Sequence, residues 1–124
     1  MFRKVKEALE GGKQVSLAYV FGSHAKGKAT LRSDVDVDIY AHGDVGWREL
    51  IRLTHKLEDK LGRRVDLVLL NEATPLLAYE VISRGVPVIC RNPAEKVEYE
   101  VKTLKEFLDV RQKLTRYHEE PGGK

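Results

Sequence analysis

The stretch "SDVDVDIYA" (33–41) alternates strictly, with Asp34, Asp36 and Asp38 interleaved by Val35, Val37 and Ile39. Successive side chains of a β-strand point to opposite faces, so the segment reads as a strand with one apolar and one acidic face. A helix would scatter both sets around its circumference. Successive carboxylates on the acidic face would stand roughly 6.5–7 Å apart. Like charges so placed repel unless a cation or basic groups compensate them. For Asp38 the plain expectation is the solvated outer face of an edge strand. For Asp34 and Asp36 the surrounding residues point elsewhere.

Around this strand the chain reads α-β-β-α-β-α-β-α. Phe2, Val5 and Leu9 are spaced for a short helix over residues 2–10 that stops at Gly11-Gly12. "VSLAYVF" (15–21) is rich in β-branched and aromatic residues and reads as a buried strand. Residues 43–62 carry Trp47, Leu50, Ile51, Leu53, Leu57 and Leu61 on one broad apolar face, an amphipathic helix ending at Gly62. "RVDLVLL" (64–70) is a third strand, interrupted only by Asp66. "PLLAYEVISRG" (75–85) has Pro at the first turn of a helix and Gly at its end. "VPVIC" (86–90) is a short strand, at a sheet edge because Pro87 lacks an N–H. A long last helix follows over 93–119. The expected architecture is α/β (α+β), a small mixed sheet with flanking helices. Residues 1–92 form the main domain, 93–120 a helix packed on it and free to meet a partner, and 121–124 a frayed tail.

At 124 residues the chain is expected to form one domain with one modest core. No apolar run is long enough for a membrane span, and the charged N-terminus does not read as a signal peptide. Cys90 is the single cysteine, which excludes an intrachain disulfide and fits a cytoplasmic location. The net charge of +3 is milder than nucleic-acid binders usually carry, which argues against a nucleic-acid partner.

"GSHAKGKATLRSDVDVD" (22–38) contains near-matches to three motifs that handle phosphate or divalent metal. Gly22-x-x-x-x-Gly27-Lys28 looks like a phosphate-binding P-loop, but Ala29 stands where a hydroxyl residue should bind Mg²⁺, and no long helix follows. Asp34-x-Asp36-x-Asp38 looks like the start of a calcium-binding EF-hand loop. Ile39 replaces its sixth-position glycine and Val45 its twelfth-position glutamate, which removes that reading. The third reading joins Gly22-Ser23, after the first strand, to Asp34 and Asp36. Glycine permits close backbone approach to a ligand and serine adds a hydroxyl. Lys26, Lys28 and Arg32 place positive charge in the connecting loop, suited to a triphosphate or simply to solvent. Asp66 is either a satisfied polar residue paired with Arg63 or Arg64, or a third carboxylate on a neighbouring strand. Three carboxylates converging from two strands, opposite a Gly-Ser cradle, make a site for two divalent metals and a nucleoside triphosphate.

At Gly22, Ser23, Asp34, Asp36 and Asp66 the sequence resembles the DNA polymerase β-like nucleotidyltransferases, and most closely their minimal branch. That family carries Gly-Ser, ten residues, Asp-x-Asp, and a third Asp on a later strand. "AKG" (25–27) and "SD" (33–34) are also similar to it, and the likeness covers roughly residues 15–90. His24 departs from the residues the branch more often has there, and Asp38 is a surplus carboxylate.

The resemblance implies the polymerase β-like palm fold and in-line attack by a hydroxyl on the α-phosphorus of a nucleoside triphosphate. It implies Asp34, Asp36 and Asp66 as ligands of two Mg²⁺ ions and as the catalytic set, with Gly22, Ser23, Lys26 and Lys28 around the triphosphate. Small members of this kind resemble antitoxins that adenylylate a helical HEPN-type toxin. By that analogy the donor is ATP and the acceptor a tyrosine hydroxyl on the partner. Neutralisation by binding alone, and transfer to a small molecule or RNA end, are the alternatives. On the last helix Val97, Val101, Leu104 and Leu108 form one apolar stripe, and Phe107, Val110, Leu114 and Tyr117 another. One stripe can dock on the sheet, leaving the other for a partner or a homodimer.

Overall fold

A computed structural model of the chain describes residues 1–12, 14–22 and 34–119. The elements follow the expected order: α1 (Phe2–Glu10), β1 (Val15–Phe21), β2 (Val35–Ala41), α2 (Trp47–Leu61), β3 (Val65–Leu69), α3 (Pro75–Arg84), β4 (Val86–Cys90) and α4 (Pro93–Glu119). A 3₁₀ turn over Leu70–Glu72, which no periodicity announces, links β3 to α3. The strands form one mixed sheet in the order β3-β2-β1-β4. β1 is antiparallel to β2 and β4, while β2 and β3 run parallel. As Pro87 required, β4 lies at an edge.

Each face of the sheet carries helices. On one, Val35, Val37 and Ile39 of β2 join Ala18, Val20, Val65 and Ile89, and α1 and α2 cover them with Val5, Ala8, Leu9, Leu53 and Leu57. Burying each of the valine, leucine and isoleucine side chains among these contributes about 1.5–3 kcal/mol. The second face packs Leu17, Tyr19 and Leu70 against Val81 of α3 and Tyr99 of α4.

Four details depart from the sequence expectations. α2 starts at Trp47 rather than at residue 43, because the chain up to Gly46 remains non-helical. Trp47 is 66% exposed and Ile51 is also outside the core, so the apolar face of α2 narrows to the buried Leu53 and Leu57 with Leu50 and Leu61 half-buried beside them. The Arg48 guanidinium lies 5.2 Å from the centre of the Trp47 ring, a cation–π contact that suits an exposed indole. On α4 the docking seam is Tyr99, Thr103 and Phe107, not an aliphatic stripe. Tyr99 packs at 4.4 Å from Tyr40, and Phe107 stacks on Tyr79 at 3.8 Å. Val97, Val101, Leu104 and Leu108 are left outward. Finally, β2 is an interior strand, so Asp38 is not on a solvated edge. It is 2% exposed, because α3 and α4 cover the face that alternation alone assigns to water. The tail at 121–124 lies outside the described residues.

Side-chain bonds to the backbone hold the elements in register. Asn71 brackets the end of β2, accepting from the Ala41 N–H at 2.9 Å and donating to the Ala41 carbonyl at 2.8 Å. Arg91, just past β4, donates to the carbonyls of Val15 at 2.6 Å and Glu10 at 2.8 Å, tying β4 to the turn between α1 and β1. Thr74 caps α3 by accepting from the Leu77 N–H at 3.2 Å.

The buried tyrosines make a pH signature. Burial above all, then the hydrogen bond Tyr19 donates to Glu100 at 2.9 Å, pushes the Tyr19 phenol above its usual range. Burial, with the charges of Tyr40, Asp38 and Glu106 adding to it, pushes Tyr99 up to about 12. Both phenols hold their protons more tightly folded than unfolded. Their contribution is intact below about pH 10 and is lost as pH rises through the folded value. The thermal midpoint should therefore fall between about pH 10 and 12, and Tyr99→Phe should remove part of that fall. A slope unchanged in Tyr99→Phe would contradict its burial.

Candidate functional site

The acidic residues collect at one end of the sheet, where β1 ends and β2 and β3 begin. Asp36 lies directly beside Asp66 in the parallel register of β2 and β3, and opposite Phe21 in the antiparallel register of β1. The Val35 N–H donates to the Arg64 carbonyl at 3.0 Å, which fixes the entry of both strands. Asp34 immediately precedes β2 and is exposed. Asp66 is exposed as well and enters no ion pair among the described residues. The cost of burying it unpaired therefore does not arise.

Gly22 closes the site from the β1 side. Its φ of +82° lies in the left-handed region that favours glycine. A Cβ built there would fall inside van der Waals contact of Asp36 Oδ2. The residue is thus required twice, by its backbone conformation and by the carboxylate beside it. Gly22→Ala should cost about 1–3 kcal/mol and push the Asp36 carboxylate aside. A lower thermal midpoint checks the first effect; an unchanged midpoint would contradict it. Ser23, Lys26 and Lys28 lie outside the described residues.

Asp38 continues the row inward. Burial first, then the negative charges of Asp36 and Asp66, push its carboxyl up to about 7. That shift comes chiefly from the loss of water around Asp38, with the neighbouring carboxylates adding to it. Oxygen-only carboxylate donors suit a hard divalent cation such as Mg²⁺, and a cation would relieve this repulsion. Among the described residues no trio of His, Cys, Asp or Glu is already drawn together as a metal cage. The structure thus brings Asp36 and Asp66 side by side, with Asp34 at the open end of the row. A cavity of about 110 Å³ behind Tyr40 and Tyr99 is lined by none of these three aspartates and is separate from the row.

The sequence missed two features here. Nothing in the strict alternation of β2 showed that its acidic face is roofed at Asp38. Tyr99 and Thr103, which help build that roof, belong to neither of the two apolar stripes of α4. Spacing four apart from Tyr99 through Thr103 to Phe107 was the available signal.

With this geometry in place, comparison with known proteins becomes informative. The family described as polymerase beta, nucleotidyltransferase matches residues 3–94. A candidate protein adenylyltransferase of Methanocaldococcus jannaschii is 32% identical over 75 residues, which cover 60% of this chain and 81% of that one. A chain in the crystal structure of a toxin–antitoxin pair with AMP-PNP superposes with a TM-score of 0.83 at 24% identity, covering 94% of each chain. A chain in the structure of the tri-AMPylated HEPN toxin of Shewanella oneidensis with its MNT antitoxin gives a TM-score of 0.74 at 20% identity, covering 94% of this chain and 95% of that one. At such identities these two likenesses speak to the fold.

Proposed function

This chain belongs to the polymerase β nucleotidyltransferase family, and we propose that it is a protein adenylyltransferase acting as an antitoxin. It takes AMP from ATP and places it on a hydroxyl, a tyrosine of a helical HEPN-type toxin. The observation that carries the reading is Asp36 beside Asp66 on adjacent parallel strands, with the Gly22 backbone against the Asp36 carboxylate. The adenylyltransferase name of the M. jannaschii relative and the AMP-PNP in the similar toxin–antitoxin structure support the choice of donor.

Asp34, Asp36 and Asp66 would hold two Mg²⁺ ions. Bound there, Mg²⁺ would neutralise triphosphate charge and favour the ionised form of the attacking hydroxyl. In this reading the Asp66 carboxylate accepts the hydroxyl proton. The acceptor oxygen bonds to the α-phosphorus, the bond from that phosphorus to the bridging oxygen breaks, and pyrophosphate leaves. Gly22 leaves room for the triphosphate, and Ser23, Lys26 and Lys28 would contact its phosphates. Residues 1–92 form the catalytic domain in this reading, and α4 offers the outward Val97, Val101, Leu104 and Leu108 to the partner.

Label on the α-phosphate of ATP should pass to a HEPN-type partner protein when Mg²⁺ is present. Asp34→Ala, Asp36→Ala and Asp66→Ala should each remove several kcal/mol of transition-state stabilisation, about 10³-fold in rate, with thermal unfolding still cooperative. Full transfer by a folded double variant would sink the mechanism. Co-expression with the toxin separates chemistry from occlusion. Wild type should rescue growth and Asp34→Ala should not; rescue by both would turn the reading to a binding antitoxin.

A further inference from the structure

Asp38 is the residue of the acidic row that the transfer chemistry leaves without a role. It stands one same-face step behind Asp36 and is 2% exposed. Its Oδ2 has no hydrogen-bond partner among the described residues. Its register partners are Tyr19 on β1 and Val68 on β3. The Tyr19 hydroxyl is turned to Glu100 instead, at 2.9 Å. Tyr40, two residues on along β2, packs against Tyr99 of α4. A leucine would suit such surroundings. A carboxylate there carries the desolvation penalty of an unsatisfied buried acceptor. That penalty sits at the inner end of a site whose outer members, Asp36 and Asp66, already crowd it with negative charge. The missing partner is thus expected to arrive with the ligand of the site.

We propose that Asp38 is a positioning residue for the divalent cation at Asp36 and Asp66, holding the hydration shell of that cation through Oδ2 and so coupling cation binding to fold stability. The inference rests on reading Asp36 and Asp66 as cation ligands. An indirect role agrees with the lack of a preformed trio of ligands among the described residues. It also agrees with the chemistry of Mg²⁺, which keeps several of its waters when bound. The carboxylate that burdens the empty fold becomes a source of affinity in the loaded one.

The test uses the full chain without nucleotide and Mn²⁺ as the probe. Thermal midpoints are measured in chelator and in Mn²⁺, and the Mn²⁺ Kd is read by electron paramagnetic resonance. In chelator, Asp38→Asn and Asp38→Leu should melt at or above wild type. In Mn²⁺ the wild type should gain stability and both variants should gain less. Loss of an outer-shell partner should weaken Kd about 10-fold, more for Leu than for Asn. Asp38→Asn keeps the size of the side chain, so it decides the outcome if the Leu variant does not fold. A merely structural Asp38 would lower the midpoint of both variants in chelator and leave Kd unchanged, which overturns the proposal and leaves the cation reading intact. Failure of wild type to bind Mn²⁺ overturns both.

Discussion

The parallel register that sets Asp36 beside Asp66 is the constraint on which the rest of the structure depends. It holds two carboxylates together against their mutual repulsion, with a third, Asp38, behind them. No attraction within the acidic row could do this. The force comes from the opposite face of the same strands, where Val35, Val37, Ile39 and Val65 are locked into the core under α1 and α2. A slip of one residue in β2 would turn Asp36, Asp38 and Tyr40 into that core and Val35, Val37 and Ile39 out of it. Apolar burial on one face thus specifies the placement of charge on the other.

The roofed second face carries a different cost. Tyr19, Tyr99 and Asp38 are all buried there, and each is held in its protonated form more strongly than in water. Such a layer is a polar interior rather than a second hydrophobic core. It leaves the open end of the sheet, around Gly22, Asp34, Asp36 and Asp66, as the place where a charged ligand can be met. α4 divides its surface accordingly, with its aromatic seam turned to α3 and the sheet and its aliphatic stripe turned outward.

Much of this was legible in the residues. The four strands and the edge position imposed by Pro87 followed from period-two alternation and turn chemistry. Pairing of Asp66 with Asp36 was suggested by one acidic residue in an otherwise apolar strand, and the register bears out that neighbourhood. The fate of Asp38 was not legible. Alternation tells which residues share a face, but only tertiary packing tells whether that face meets water or a helix. The α4 seam was hidden for a related reason: Tyr99 and Thr103 carry polar groups into the interior, and neither belongs to the two apolar stripes of the helix. The exposure of Trp47 shows the reverse, an aromatic residue in an apolar pattern that the core does not use.

The central claim, that the aspartate row at the end of β2 and β3 holds the cation and the triphosphate, is tested most directly by crystals grown with Mn²⁺ and a non-hydrolysable ATP analogue. Anomalous scattering from manganese should appear between Asp36 and Asp66, with Asp34 in contact and the α-phosphate of the analogue beside it. A triphosphate bound elsewhere, with no manganese at these carboxylates, would contradict the account.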